Sequence, residues 1–243
     1  MPADMSADLL DRVRKLLAKA EDEGVTPHEA EALTAKAAEL MARHGIDRAI
    51  LGHLQPGTDK PIDRVFTIDR PWADVKAYLL SHLATSLRCE VIEIDAPGGS
   101  RRLHVFGYAS AIDRASILYS SLLVQMSRAL AAQQVPAGVT SVRGWRRSWM
   151  LGYATTATAL VRDAEQRAAR EAGDLPASGP YTALILADRT AIVRRLADDA
   201  YPATRPTRVT CAHDGYADGY AQGQRADIDS VRLPPQTTAI ART

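Results

Sequence analysis

The chain has 243 residues, of which 46% are hydrophobic and 24% charged, and its formal net charge at pH 7 is +1. This composition is typical of a globular protein, and the length allows one domain or a small module plus a larger one. No stretch approaches the about 18 apolar residues of a membrane helix, and the charged N-terminus lacks an apolar signal-peptide core. We therefore expect a cytoplasmic protein. Cys89 and Cys211 lie far apart and form no CxxC pair, which argues against a disulfide framework or a zinc knuckle.

The first predicted element is a helical hairpin over residues 1–51. Apolar side chains recur at helical spacing over residues 9–20. The stretch "TPHE" then opens a second helix, with Thr26 as its N-cap and Glu29 completing a capping box. Gly45 is predicted to end this helix as a left-handed cap residue.

A second domain is predicted to cover residues 64–243. It is separated from the hairpin by residues 52–63, which are rich in glycine, proline and polar side chains and are predicted to be a linker. A short strand is predicted around Val65–Ile68, followed by a helix that begins at Pro71 and includes Trp72 in its buried stripe. 

The next segment carries a hairpin pattern, because the stretches "CEVIEI" and "RRLHVFGY" flank the turn sequence "DAPGGS". Ser110 is predicted to cap the helix that follows. The middle of the chain is thus predicted to be helix, strand, strand, helix.

The C-terminal region is predicted to be helical. A long helix should extend from about Trp145 to Ala172. The stretch "YTALILADRTAIVRRLADDAYP" fits either a short strand leading into a helix or one helix throughout, because a brief apolar run does not distinguish them. The predicted fold class is α+β and mostly helical: an N-terminal helical hairpin, a helix-strand-strand-helix unit and a C-terminal helical region.

Three glycines, Gly215, Gly219 and Gly223, recur at intervals of four residues in "HDGYADGYAQGQRAD". A Walker loop needs a lysine after its last glycine, and the chain has no lysine beyond Lys76. The spacing also differs from a dinucleotide loop, and polar residues are interleaved where a membrane GxxxG face needs apolar ones. We therefore predict a helix whose glycines pack closely against another helix, with a turn-rich loop or a ligand cradle as the alternatives.

Signals for catalysis or metal binding are weak. The six histidines are scattered without HExxH spacing, and no G-x-S-x-G motif is present. Cys211, His213 and Asp214 lie together in "CAHD", but they have no partner ligands at a suitable spacing. The sequence therefore predicts no catalytic residues, no metal and no cofactor, and it favours a protein that is not an enzyme.

The stretch "VRGWRRSW" combines arginine with tryptophan in a segment where residues 141–212 carry 11 arginines and 7 acidic residues. Arginines at a helix N-terminus oppose the helix dipole by about 0.3–1 kcal/mol each, so they do not serve the helix itself. Arginine and aromatic side chains together can bind phosphates and stack on bases. The candidate nucleic-acid-binding residues are Arg143, Trp145, Arg146, Arg147, Arg205 and Arg208. The alternative makes Trp145 and Trp149 a core pair one helical turn apart.

The front hairpin, "LLDRVRKLLAKAEDEGVTPHEAEALTAKAAELMARHGID", resembles a bacterial and phage family known as domain of unknown function 2786, over about residues 7–47. The stretches "WRRSWMLGYA", "ALILADRTAIV" and "GYADGYAQGQRADI" resemble the C-terminal region that accompanies this hairpin in actinobacterial members. The resemblance implies a bacterial intracellular origin and the two-part architecture. It implies no activity, cofactor or site residue.

These observations lead to three hypotheses about function. The first is a non-enzymatic binding module that contacts nucleic acid through the arginine and tryptophan cluster. The second is a protein-interaction or structural module, and the third is an enzyme of unrecognised type that uses Cys211, His213 or Asp214. A membrane partner is not expected.

Overall fold

A computed structural model of the protein describes residues 2–22, 24–94, 96–174, 179–204 and 215–224. The described elements, in chain order, are α1 (Pro2–Ala20), α2 (Pro27–Leu54), β1 (Pro61–Ile68), α3 (Ala73–Ser86), β2 (Glu90–Ile94), β3 (Arg101–Tyr108), α4 (Ala109–Ala131), α5 (Val142–Gly173), α6 (Gly179–Ala200) and α7 (Gly215–Gln224). This arrangement confirms the predicted α+β class, which is mostly helical. No helix in these ranges has an apolar stretch long enough to cross a bilayer.

The start of α2 agrees with its predicted capping box. The backbone N–H of Glu29 donates to Thr26 Oγ1 at 3.3 Å, and the backbone N–H of Thr26 donates to Glu29 Oε2 at 3.0 Å. The Glu29 carboxylate accepts from the backbone N–H of Thr26 and also from its hydroxyl, the latter at 2.8 Å. These two bonds hold the pKa of the carboxyl below its usual value, because its ionised form accepts them. Two otherwise unsatisfied donors of the helix end are thereby paired.

The cap of α2 makes a testable contribution to stability. Thr26→Ala should lower the free energy of unfolding by about 1 kcal/mol, because it removes the oxygen that accepts the Glu29 N–H. The urea midpoint of the full-length protein measures this loss. Thr26→Ser, which keeps the hydroxyl, should stay close to the wild type, and an equal loss in both variants would contradict the role of the cap.

The end of α2 differs from the prediction, because the helix continues past Gly45 to Leu54. Ile46 and Ala49 extend its buried face, so burial continues where the sequence signature suggested a stop. Gly45 has another role: a Cβ atom there would collide with the guanidinium of Arg114 in α4. The glycine therefore makes room for a buried arginine.

That arginine belongs to a buried ionic cluster of three side chains. Arg114 donates through Nη1 to Glu165 Oε1 at 2.5 Å and to the Met41 carbonyl at 2.8 Å. Arg88 donates through Nη1 to Glu165 Oε2 at 2.9 Å. Only 3% of the Glu165 side chain is exposed, so one carboxylate lies between two arginines away from water. The cluster joins α2, α4 and α5 to the turn between α3 and β2.

The sheet has the strand order β1-β3-β2, and both pairings are antiparallel. The predicted hairpin of β2 and β3 is confirmed. β1 is longer than the predicted Val65–Ile68, and its pairing with β3 places β3 at the centre. Leu103 and Val105 of β3 face the main core, whereas Phe106 packs with Val193 and Ala197 of α6 on the opposite side.

The helix α4 is capped differently from the prediction. It begins at Ala109, and the carboxylate of Asp59 accepts hydrogen bonds from the N–H of Ser110 at 3.2 Å and from its hydroxyl at 2.8 Å. Asp59 also accepts from Arg189 of α6, whose guanidinium carbon lies 3.3 Å from the centroid of the Tyr108 ring. Residues 52–63, predicted to be a linker, thus carry a buried carboxylate bonded to α4 and α6. The domain boundary proposed from the sequence stays a prediction.

The C-terminal helices settle two open interpretations. The stretch from residue 181 to 200 lies entirely in α6, so the one-helix alternative is the observed one. In α7, a Cβ on Gly219 would collide with the backbone carbonyl of Trp149, and a Cβ on Gly215 would lie 2.5 Å from the carbonyl oxygen of Trp145. The prediction of close helix packing is confirmed for both glycines. Gly152 of α5 makes the same close approach from the opposite helix, because a Cβ atom there would meet the backbone of α7.

Candidate functional site

Three helices of the described structure, α3, α5 and α7, run in the same direction, and α3 and α5 begin at the same end of the molecule. Asp74 of α3 contacts Arg147 of α5, and the hydroxyl of Tyr78, one turn further along α3, lies 3.1 Å from the Oγ1 atom of Thr155, about two turns further along α5. α7 follows α5 in the same direction, since Gly215 lies at Trp145 and Gly219 at Trp149. Each helix N-terminus carries a partial positive charge of about half a unit. The dipoles of α3 and α5 therefore make their shared end electropositive before any side chain is counted.

Two of the predicted arginines are exposed at this end. Arg143 is exposed, and its guanidinium carbon lies 5.7 Å from the centroid of the Trp72 ring. Arg146 is also exposed. Arg147 is half-buried, and its Nε donates to Asp74 Oδ2 at 2.6 Å, so its charge is balanced within the protein. We call Arg143, Arg146 and Trp72 the basic end.

The tryptophans of the predicted cluster lie in the core. Trp145 is 3% exposed, and Trp149 is fully buried and stacks on Tyr153 with ring centroids 5.7 Å apart. Trp145 therefore offers no ring to a ligand in this conformation, and the structure agrees with the alternative of a core pair one turn apart. The buried face of α5 at these residues is the face that receives the glycines of α7.

Sequence reasoning missed Trp72 as the aromatic member of the surface. It was assigned to the buried stripe of α3, but it precedes that helix in a left-handed conformation with φ 63° and is only half-buried. A bulky residue rarely adopts positive φ, and nothing in the local sequence indicates it here.

The remaining predicted residues do not enlarge the site. Arg205 and Arg208 lie outside the described residues, as do Cys211, His213 and Asp214. Within the described part of the chain, no group of three or more His, Cys, Asp or Glu residues could hold a metal ion. Burial raises the pKa of the Cys89 thiol to about 12, so this cysteine is a thiol rather than a nucleophilic thiolate at neutral pH.

The architecture defines a mostly helical α+β protein in which a helical hairpin precedes a small antiparallel sheet and its helices. Residues 8–48 match the model of a family described as "Protein of unknown function (DUF2786)", so the chain carries this domain in α1 and α2. The resemblance of the front hairpin is thereby confirmed. No curated protein and no solved structure matches the chain.

Proposed function

We propose that the protein is a binding module that contacts the phosphates of a nucleic acid with the basic end. The observation that carries the proposal is the exposure of Arg143 and Arg146 at the common start of the parallel helices α3 and α5. Parallel helix dipoles and added cations repel one another, so an anion at this end would relieve an unfavourable interaction. Arginine suits this role because its planar guanidinium can donate two parallel hydrogen bonds to a phosphate.

The aromatic side chain of the basic end favours a nucleic acid over a simple anion. Trp72 is half-buried and lies beside the guanidinium of Arg143. Surfaces that bind single strands combine cations for the backbone with rings on which bases stack. Trp72 supplies the ring that Trp145, being buried, does not.

The test is the salt dependence of binding, measured by fluorescence anisotropy with labelled single- and double-stranded DNA. Changing Arg143→Ala together with Arg146→Ala should flatten the slope of log affinity against log salt concentration. The expected change is about 1.4 for single strands and about 1.8 for duplex, because each phosphate contact contributes about 0.7 or 0.9. Trp72→Ala should weaken single-strand binding by about 1–3 kcal/mol if bases stack on it.

A matched control removes two arginines elsewhere on the same helix. Arg162 and Arg170 of α5 are exposed and lie at least 16 residues beyond Arg146, or roughly 24 Å at 1.5 Å per residue. Arg162→Ala with Arg170→Ala changes the net charge equally and should leave the slope near the wild-type value. Equal flattening in both double variants, or no binding by the wild type at low salt, would contradict the proposal.

The alternative is a module that binds another protein, and one observation favours it. Tyr181 and Leu184 lie one turn apart on α6, and 65% of Tyr181 is exposed. Large apolar side chains that neighbour each other on a surface are typical of protein contacts. If the anisotropy experiment shows no binding, this second hypothesis becomes the leading one.

A further inference from the structure

Three side chains on the face of the sheet that packs against α6 form one continuous line of hydrogen bonds. His104, on the central strand β3, lies with Nε2 2.8 Å from Asp63 Oδ2 on β1. Its other ring nitrogen, Nδ1, lies 2.9 Å from the hydroxyl of Tyr201, which follows α6. Three separate parts of the chain thus meet at a single imidazole.

When the imidazole is neutral, the donor and the acceptor of each hydrogen bond in this line are defined. An ionised carboxylate can only accept, so Nε2 of His104 carries the proton that is donated to Asp63. Nδ1 then has a free lone pair, and the hydroxyl of Tyr201 donates to it. The Tyr201 hydroxyl is thus hydrogen-bonded to one nitrogen of the imidazole, and the other nitrogen is hydrogen-bonded to a carboxylate. This is the arrangement of an activated nucleophile.

The packing of this cluster holds it in place and leaves it open to solvent. The rings of His104 and Phe106 lie 4.3 Å apart, and Tyr201 meets His104 edge-on at 5.6 Å. The backbone N–H of Tyr201 donates to the Ala197 carbonyl at 2.8 Å, which ties it to the end of α6. The exposed fractions are 62% for the Asp63 side chain and 15% for that of His104, and Tyr201 is half-buried. A reagent can therefore approach from the solvent side.

We propose that Tyr201 is a nucleophile toward phosphoryl esters, with His104 as its general base and Asp63 as a positioning residue. The phenol oxygen attacks phosphorus, so a Tyr201 O–P bond forms while the bond from phosphorus to the leaving group breaks. The phenolic proton passes to His104 Nδ1, and the leaving group departs with the electron pair of the broken bond. Asp63 stabilises the imidazolium that results.

The phosphoryl class follows from the neighbouring cation. Arg102 lies two residues before His104 on β3, so both side chains lie on the same face of the sheet. Its register partners on the two edge strands are Thr67 and Ile94, so no carboxylate lies directly opposite it in either pairing. A guanidinium binds phosphoryl oxygens well and stabilises charge that develops on them.

The test uses an alkyl fluorophosphonate on the full-length protein, with the modified tyrosine identified by peptide mass spectrometry. The phenol oxygen of Tyr201 displaces fluoride, and the leaving fluoride takes its electron pair. We expect Tyr201 to be modified more than about tenfold faster than the more exposed Tyr181, as a general base contributes about 10²–10⁴ in rate. Equal rates at the two tyrosines would overturn the proposal.

A conservative variant separates the base from a merely structural hydrogen bond. In His104→Gln, the amide oxygen can accept from Tyr201 and the amide nitrogen can donate to Asp63, but the side chain is no base. The modification rate of Tyr201 should fall at least about tenfold while the thermal midpoint stays close to the wild type. Modification at the wild-type rate would show that the cluster only connects α6 to the sheet.

Two further comparisons keep the test decisive. Asp63→Asn changes an exposed residue and should also slow the modification of Tyr201, because the imidazole loses its oriented tautomer; an unchanged rate contradicts the role of Asp63. The preference for Tyr201 over Tyr181 should be larger for the fluorophosphonate than for p-nitrophenyl acetate. A larger preference with the acetate would overturn the phosphoryl assignment.

Discussion

Glu165→Ala is expected to lower the free energy of unfolding by about 3–5 kcal/mol, the largest effect that we predict for a single ionic residue. Glu165 is the only carboxylate bonded to Arg114 and Arg88 among the described residues. Without it, the buried Arg114 keeps its charge with no counter-ion, because arginine does not lose its proton in proteins. Urea denaturation of the full-length protein, followed by circular dichroism, measures the loss.

The positive charge of this region already affects a neighbour. The pKa of His44 is lowered, first by its burial and then by the Arg114 guanidinium. Removing Glu165 would leave this region more positive still. The matched control is Glu93→Ala, which breaks a pair between Glu93 and Arg101 near the surface. We expect this control to cost about 0–1 kcal/mol, because solvent screens such pairs. Equal losses of unfolding free energy in the two variants would show that the buried cluster stabilises the protein no more than a surface ion pair.

Gly219→Ala is expected to destabilise the protein by about 1–3 kcal/mol or more, because the added methyl collides with the backbone of α5 rather than with a flexible side chain. A backbone has little room to move in a close-packed interior. The ten residues of α7 are too few to form a stable helix alone. We therefore expect α7 to separate from α5, which faster amide hydrogen exchange in α7 would report.

The reciprocal change and a control complete this experiment. Gly152→Ala should have a similar effect, because its Cβ would meet the backbone of α7 from the other side. Gly173 lies in the last turn of α5, and nothing lies within 4 Å of the Cβ position there. Gly173→Ala should therefore be neutral or stabilising by up to about 1 kcal/mol. A stable Gly219→Ala variant would mean that α7 does not need this close approach.

The sequence was sufficient wherever the deciding interaction is local. Thr26 and Glu29 lie one turn apart, and their capping box formed as predicted. The turn between β2 and β3 was likewise visible in a few consecutive residues. Predictions were wrong where a residue distant in sequence determines the local structure. Gly45 resembles a helix cap until Arg114 is placed beside it, and Ser110 resembles a cap residue until Asp59 takes that role.

The same contrast between local and long-range interactions holds for the candidate site. Arg143 and Arg146 lie near the N-terminus of α5, before the continuously buried stretch Ser148–Ala154, and their exposure is what their charge alone predicts. The burial of Trp145 depends on α7, whose glycines repeat every four residues just as Trp145 and Trp149 do. That matched spacing was present in the sequence, but spacing alone does not say which two helices meet. The line from Asp63 to Tyr201 depends on strand register and on the end of α6, and no local motif marks it.

The contact between Gly45 and Arg114 links two positions on either side of a domain limit. Gly45 lies inside the segment matched by the family model, and Arg114 lies outside it. Among relatives that share this architecture, the two positions should vary together: a glycine should accompany an arginine, and a larger residue should appear only where the arginine has been lost. A hairpin transplanted from a relative without such an arginine would then be incompatible with this chain, even though its own helices are intact. Such covariation would make the evolutionary unit larger than the matched segment.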